Sequence, residues 1–159
     1  MRLTWNALRF TRLAALVLVA AFVLGAASVS TAQETKPTLA FQNDAGLIIF
    51  YVKPDKTADF EDLMTKLKDG LAKMDAPEAK QQAGSMKLFK NPVAANATVA
   101  VYVLFADPAV KSVEYWFLPI LYKAYPAEAQ ALFAKWQDVK ATQPAQPGIF
   151  DLTQVIKFQ

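Results

Sequence analysis

The chain has 159 residues, 54% of them hydrophobic, a formal charge of +3, and neither cysteine nor histidine. Lacking both residue types, it is excluded from disulfides, thiol redox chemistry, ordinary zinc, copper or haem ligation, and Ser-His or Cys-His nucleophile pairs. The positive charge is no guide to partners: the only arginines are Arg2, Arg9 and Arg12, and the 17 cationic residues less these three leave fourteen lysines against 14 carboxylates.

The three arginines precede an uncharged run over 13–33, whose first part, 13–24, is only Leu, Ala, Val and Phe. Small residues follow at Gly25, Ala26, Ala27 and Ser28, and Ser30-Thr31-Ala32 offers small side chains where a signal peptidase reads. The pattern predicts a secretory leader over 1–32, cut after Ala32, and an exported product, periplasmic or secreted, with no membrane contact once the leader is gone. An uncleaved anchor is the alternative, since the run is just long enough to span a hydrocarbon core. Without arginine, the remainder lacks the bidentate fork that reads phosphate and guanine, and no nucleic-acid partner is expected.

Residues 33–44 (QETKPTLAFQND) are polar and interrupted by Pro37, a lead-in to a domain over 45–159. The run 47–52 (LIIFYV) looks like a strand buried on both faces, ended by Lys53-Pro54-Asp55. Asp55 or Thr57 is placed to cap the next helix, with Asp59, Glu61 and Asp62 at the positive end of its dipole. Phe60, Leu63, Met64, Leu67, Leu71 and Met74 then form one apolar stripe. Gly70 weakens that helix by about 1 kcal/mol relative to alanine, and Pro77 ends it.

Residues 85–90 (SMKLFK) alternate like a half-exposed strand, Asn91-Pro92 turns the chain, and 98–106 (TVAVYVLFA) is a second nearly unbroken apolar strand; 85–90 and 98–106 can pair as a hairpin. Asp107-Pro108 opens a helical stretch carrying Val113, Trp116, Phe117, Ile120 and Leu121, broken or kinked at Pro119. Pro126 suits the first turn of another helix, with Glu128 beside it and Ala129, Leu132, Phe133, Trp136 and Val139 on one face. Trp136 and Phe133 are expected in the core. A loop with Pro144 and Pro147 precedes a last alternating strand over 150–158 (FDLTQVIKF).

The fold class is therefore α+β, in the ferredoxin-like order β-α-β-β-α-β with an extra helix before the second main helix. That order puts the first and third strands at the sheet centre, in keeping with their continuous apolar runs. Helices of such a domain cover one sheet face, yet Leu47, Ile49 and Tyr51 oppose Ile48, Phe50 and Val52, and Val101, Val103 and Phe105 oppose Tyr102 and Leu104. Both faces want burial, so two copies are expected to pack sheet against sheet as a homodimer. The alternative is that the extra helix or the lead-in covers the second face within one chain.

The segments GLIIFYVK, TADFEDLMTKLKDGLAK, TVAVYVLFADP and FDLTQVIKF together resemble the dimeric α/β-barrel superfamily, which includes antibiotic-biosynthesis-type monooxygenases. The resemblance covers 45–159 in pattern and implies a ferredoxin-like protomer, a barrel formed by the dimer, and a pocket between sheet and helices. The stretch SVEYWFLPILYKAYPAEAQALFAKW is also similar to segments of small exported bacterial proteins of unknown function. The superfamily's haem-handling members use a histidine, which is missing here; its cofactor-free oxygenases use asparagine and tryptophan, for which Asn43 and Trp116 have suitable side chains without an anchoring motif.

The densest aromatic stretch is Tyr115, Trp116, Phe117, Tyr122 and Tyr125. Tyrosine and tryptophan join an apolar body to one polar group, which suits a pocket for a flat or oily ligand as well as core and dimer packing, the weightier reading for the set. The ligand-binding candidates are Tyr115, Trp116, Tyr122, Tyr102 and Tyr51, around a small apolar or aromatic molecule, with no catalytic residue, cofactor or metal assigned. The rival readings are a cofactor-independent oxygenase on a quinol-like substrate using Tyr115, Trp116 or Tyr122, and an interaction subunit for another protein. Asp107 and Glu114 are proton-transfer candidates that equally suit a solvated face or a helix start. Lys53 and Lys123 read as surface lysines, and the Asp55, Asp59, Glu61 and Asp62 group lacks the glycine turn of a calcium loop.

Overall fold

The computed structural model describes residues 36–92, 98–144 and 146–158. The expected leader over 1–32 and its cut after Ala32 lie outside the described residues. The chain from Lys36 onward forms one compact α+β unit around a four-stranded antiparallel sheet. Its elements are β1 (Ala45–Val52), α1 (Thr57–Lys73), α2 (Pro77–Ser85), β2 (Met86–Lys90), β3 (Ala100–Ala106), α3 (Phe117–Ala124), α4 (Ala129–Val139) and β4 (Gly148–Leu152). The strand order is β2-β3-β1-β4, with the two apolar runs at the centre, an arrangement compatible with a ferredoxin-like fold.

Strand alternation decides which residues enter the core. Ile48, Phe50 and Val52 of β1 and Ala100, Tyr102, Leu104 and Ala106 of β3 are buried beneath the helices. On α1 the stripe Phe60, Leu63, Met64, Leu67 and Leu71 is buried, as its spacing predicts. Phe50 is the hub of the aromatic packing, its ring centroid 5.3 Å from Phe60, 5.7 Å from Phe117 and 6.0 Å from both Trp116 and Trp136.

Four local expectations are corrected. Pro77 ends nothing by itself but occupies the first turn of α2, where its missing N–H costs no hydrogen bond; α2 is mostly polar and buries Ala79, Gln82 and Ser85, and Gln82 donates to the Glu114 carbonyl at 2.7 Å. The stretch 107–116 is not helical; α3 starts at Phe117, so Pro119 falls in its first turn and kinks nothing. Phe133 is exposed while Leu132, Trp136 and Val139 face the core. Neither Asp55 nor Thr57 caps α1, because the 3-10 turn Pro54–Lys56 runs directly into it.

The last strand is shorter than its alternation suggests. β4 stops at Leu152, where its partner β1 begins at Ala45, and with no strand to pair against, 153–158 has no regular structure. Val155 is 89% exposed and Phe158 91%.

The segment preceding β1 is bound into the same unit. Phe41 is buried against Tyr115, ring centroids 4.6 Å apart, and the Glu114 carboxylate accepts the backbone N–H groups of Thr38, Leu39 and Trp116. Asp151 accepts those of Gln42 and Asn43 at 3.0 Å each. Gly46 makes this possible: a Cβ there would lie 2.0 Å from the Phe41 ring. Gly46→Ala is expected to destabilise the fold by about 1–3 kcal/mol through overpacking, and Phe41→Ala by about 3–5 kcal/mol. In urea unfolding the double variant should cost clearly less than the sum, since the alanine methyl then fills space the ring has left.

Candidate functional site

The layer of helices leaves a cleft at each side of the sheet. The larger, about 440 Å³, lies where α1 stands off from β2. Its lining from α1 is Glu61, Met64, Thr65, Leu67, Lys68 and Leu71; α2 adds Ala83, β2 adds Met86 and Leu88, and β3 adds Leu104. The volume falls within the roughly 300–1,000 Å³ of small-molecule sites. The residues reach one place for simple reasons. Positions 61, 64, 65 and 68 follow one another up one helix flank, and Met86, Leu88 and Lys90 share the core-side parity of β2, opposite Ala106, Leu104 and Tyr102.

At the Glu61 end sits a hydrogen-bonded group of three. The buried Tyr102 hydroxyl donates to Glu61 Oε1 at 2.5 Å, and Lys90 Nζ donates to the same oxygen at 2.8 Å. Lys90 also lies 5.4 Å from the centroid of the Tyr102 ring. The lysine and then the tyrosine hold the Glu61 carboxyl below its ordinary value. The hydrogen bond to Glu61 raises Lys90, while burial and then Glu61 raise the Tyr102 phenol. Every shift moves away from neutrality, so at pH 7 the group is a fixed carboxylate, a fixed ammonium and a protonated phenol.

The smaller cleft, about 260 Å³, lies beside β4 and is lined by Thr38, Leu39, Trp116, Trp136, Lys140, Gln146, Pro147 and Ile149. Trp116 and Trp136 meet edge to face with centroids 6.0 Å apart, so this is the aromatic-walled one.

The five tyrosine and tryptophan candidates do not converge. Trp116 lines the smaller cleft. Tyr102 is buried, its hydroxyl at the head of the larger one. Tyr51 is half-buried on the opposite sheet face and reaches a narrow space beside Trp136 and Pro144. Tyr115 is fully buried, its hydroxyl accepting the Val110 N–H at 2.8 Å, and its phenol is raised by burial. Tyr122 is half-buried on α3 and lines neither cleft, and burial raises its phenol as well. Of the charged candidates, Glu114 is the clamp on the preceding segment, and Lys53 Nζ is held by the Asp138 carbonyl at 2.5 Å. Asp59 and Asp62 pair with Lys135.

Sequence reasoning misses Glu61, Lys68, Leu88 and Lys90 as binding residues. Their signal is faint: Leu88 and Lys90 alternate on a strand that reads as half-exposed, and Glu61 sits among helix-start acids. Only the register that sets Lys90 opposite Tyr102 brings them together. Among the described residues no group of three or more carboxylates is placed to hold a metal ion, and no helix is long and apolar enough to cross a membrane. Comparisons with family models, with curated proteins and with solved structures found no match.

The Glu61 group makes a pH prediction. A carboxyl depressed in the folded state stabilises it fully above the ordinary carboxylate value of 4.5, and that contribution disappears as pH falls through the depressed value. The difference in melting temperature between wild type and Glu61→Gln should be level from neutral pH down to about 5 and shrink below that. A difference that persists unchanged at pH 2 would contradict the ion-pair geometry.

Proposed function

We propose that this chain is an exported, non-enzymatic domain that pairs with a second copy through its open sheet face, giving a dimeric α/β barrel of ferredoxin-like protomers. In this reading it binds a small apolar molecule in the cleft between α1 and β2. The observation that carries the binding role is the cleft's composition: an aliphatic body of Met64, Leu67, Leu71, Met86, Leu88 and Leu104, with polar groups at its margin. This is how small-molecule sites are built, apolar walls for affinity and few polar groups for orientation. Export rests on the leader pattern of residues 1–32.

Binding is favoured over turnover because the polar head holds its charges. A general acid or base needs a pKa near the working pH, and Glu61 and Lys90 are both moved the other way. The oxygenase alternative gains no support, since Tyr115, Trp116 and Tyr122 do not share a cavity. In place of an apolar or aromatic molecule in an aromatic-lined pocket, this reading favours a more aliphatic ligand, since no aromatic residue lines the larger cleft.

Pairing is supported by the sheet face turned away from the helices. Leu47, Ile49 and Tyr51 of β1 lie opposite Phe105, Val103 and Val101 of β3 in register, each half-buried. Phe89 at one edge is 53% exposed and Phe150 at the other 50%. The segment before β1 and α2 both pack on the helix side, and the loop residues Lys140, Ala141, Pro144 and Pro147 come beside this row only at its Tyr51 end. A contiguous apolar sheet of that kind marks an association surface, and a second copy offers the same row in return.

Two measurements test the reading. Sedimentation velocity should give a dimer for the wild type and a monomer for Val103→Lys, which places a charge at the centre of the face; a wild type that stays monomeric at its highest soluble concentration contradicts the pairing. Nile red should bind with a blue-shifted emission, and Ala83→Trp, which fills the cleft mouth, should weaken it at least about tenfold, or 1.4 kcal/mol. Undiminished binding in that variant would remove the cleft from the account.

A further inference from the structure

The charges around the larger cleft do not balance. Its charged groups are Glu61, Lys68 and, bonded to Glu61 at the head, Lys90. Glu61 and Lys90 neutralise each other at 2.8 Å. Lys68 is left over: among the described residues no carboxylate lies within 4.0 Å of its ammonium. Its neighbours three and four residues away along α1 are Met64, Thr65, Leu71 and Ala72, none of them acidic. Glu61 is seven residues back, about two helical turns, and its Oε1 is already taken by Lys90 and Tyr102. The paired glutamate therefore does little to offset it.

We infer that the ligand of this cleft is an amphiphile with a single carboxylate, its apolar body among Met64, Leu71, Met86, Leu88 and Leu104 and its head on Lys68. The inference rests on the binding role proposed above and adds the ligand's charge. Met64 and Leu71 flank Lys68 on the helix surface, so its aliphatic stem can follow the apolar wall while the ammonium stays at the water boundary. A head seated there needs no desolvation of the lysine. One unmatched positive charge suits one negative charge, and lysine recognises it as a point charge without requiring the planar fork that this domain lacks.

The test is calorimetric titration of the full chain with decanoate and with decanol, which differ in the head group. Wild type should prefer decanoate by about three- to fivefold, the range that exposed ion pairs reach, and the preference should decline as salt is added. Lys68→Gln should bind the two equally, whereas Lys111→Gln, an exposed lysine outside the cleft, should keep the preference. Because Lys68 is exposed, its replacement does not threaten folding. Equal binding by wild type, or a preference that survives Lys68→Gln, overturns the inference and leaves the apolar cleft standing. Failure of both compounds to bind overturns the cleft as a binding site, and the inference with it.

Discussion

The whole arrangement depends on the one-sided burial of β1. Ile48, Phe50 and Val52 go under the helices and are fully buried, and Phe50 touches the aromatic residues of α1, α3 and α4 at once. A ring in such a position commits its strand to one register, because a shift by one residue would exchange it for Ile49 or Tyr51 and turn the apolar row outward. Once that row is fixed, the positions of its neighbours follow: β3 in register beside it, the helices above it, and Leu47, Ile49 and Tyr51 on the far side.

The cleft is a by-product of the same packing. α1 packs against α3 and α4 on one flank and against α2 on the other. Its apolar stripe is wider than the first flank can cover, and Met64 and Leu71 are left facing the short edge strand β2. Tyr102, the bulkiest residue on the inner face of β3, cannot be buried without a partner for its hydroxyl. Glu61 supplies one, and Lys90 completes the group. A packing requirement thus produces the polar head of the cleft. The pairs of Lys135 with Asp59 and Asp62 join α1 to α4, and Lys56 in the turn before α1 pairs with Asp138; all lie in solvent, where ion pairs add little, so the aromatic hub holds those helices in place.

Periodicity made the strands and main helices legible, because burial on one face repeats every second or every 3.6 residues. It also led astray where apolar residues share a helical spacing without forming a helix. Val113 and Trp116 lie in a non-helical strap, held by the Glu114 carboxylate and the backbone of 38–44, and no one-dimensional pattern records a clamp of that kind. α2 was hidden for the opposite reason: its exposed, polar sequence carries almost no stripe, and it is anchored by one buried glutamine. The aromatic segment drew attention to itself by composition, yet Tyr115 and Phe117 went to the core and only Trp116 reached a cleft. Apart from Thr65, the residues lining the larger cleft are aliphatic or singly charged, types that carry no motif, and only strand register assembles them.

In the proposed dimer the apolar row of Leu47, Ile49, Val103 and Phe105 is covered by a second copy of the chain. Hydroxyl-radical footprinting across a dilution series tests it most directly, because Phe105 and Phe150 on the open face can be compared with Phe133, which is exposed on α4. In a dimer, Phe105 and Phe150 should be protected at high concentration and become labelled on dilution, while Phe133 is labelled throughout. Labelling of Phe105 and Phe150 as strong as that of Phe133 at every concentration would contradict it.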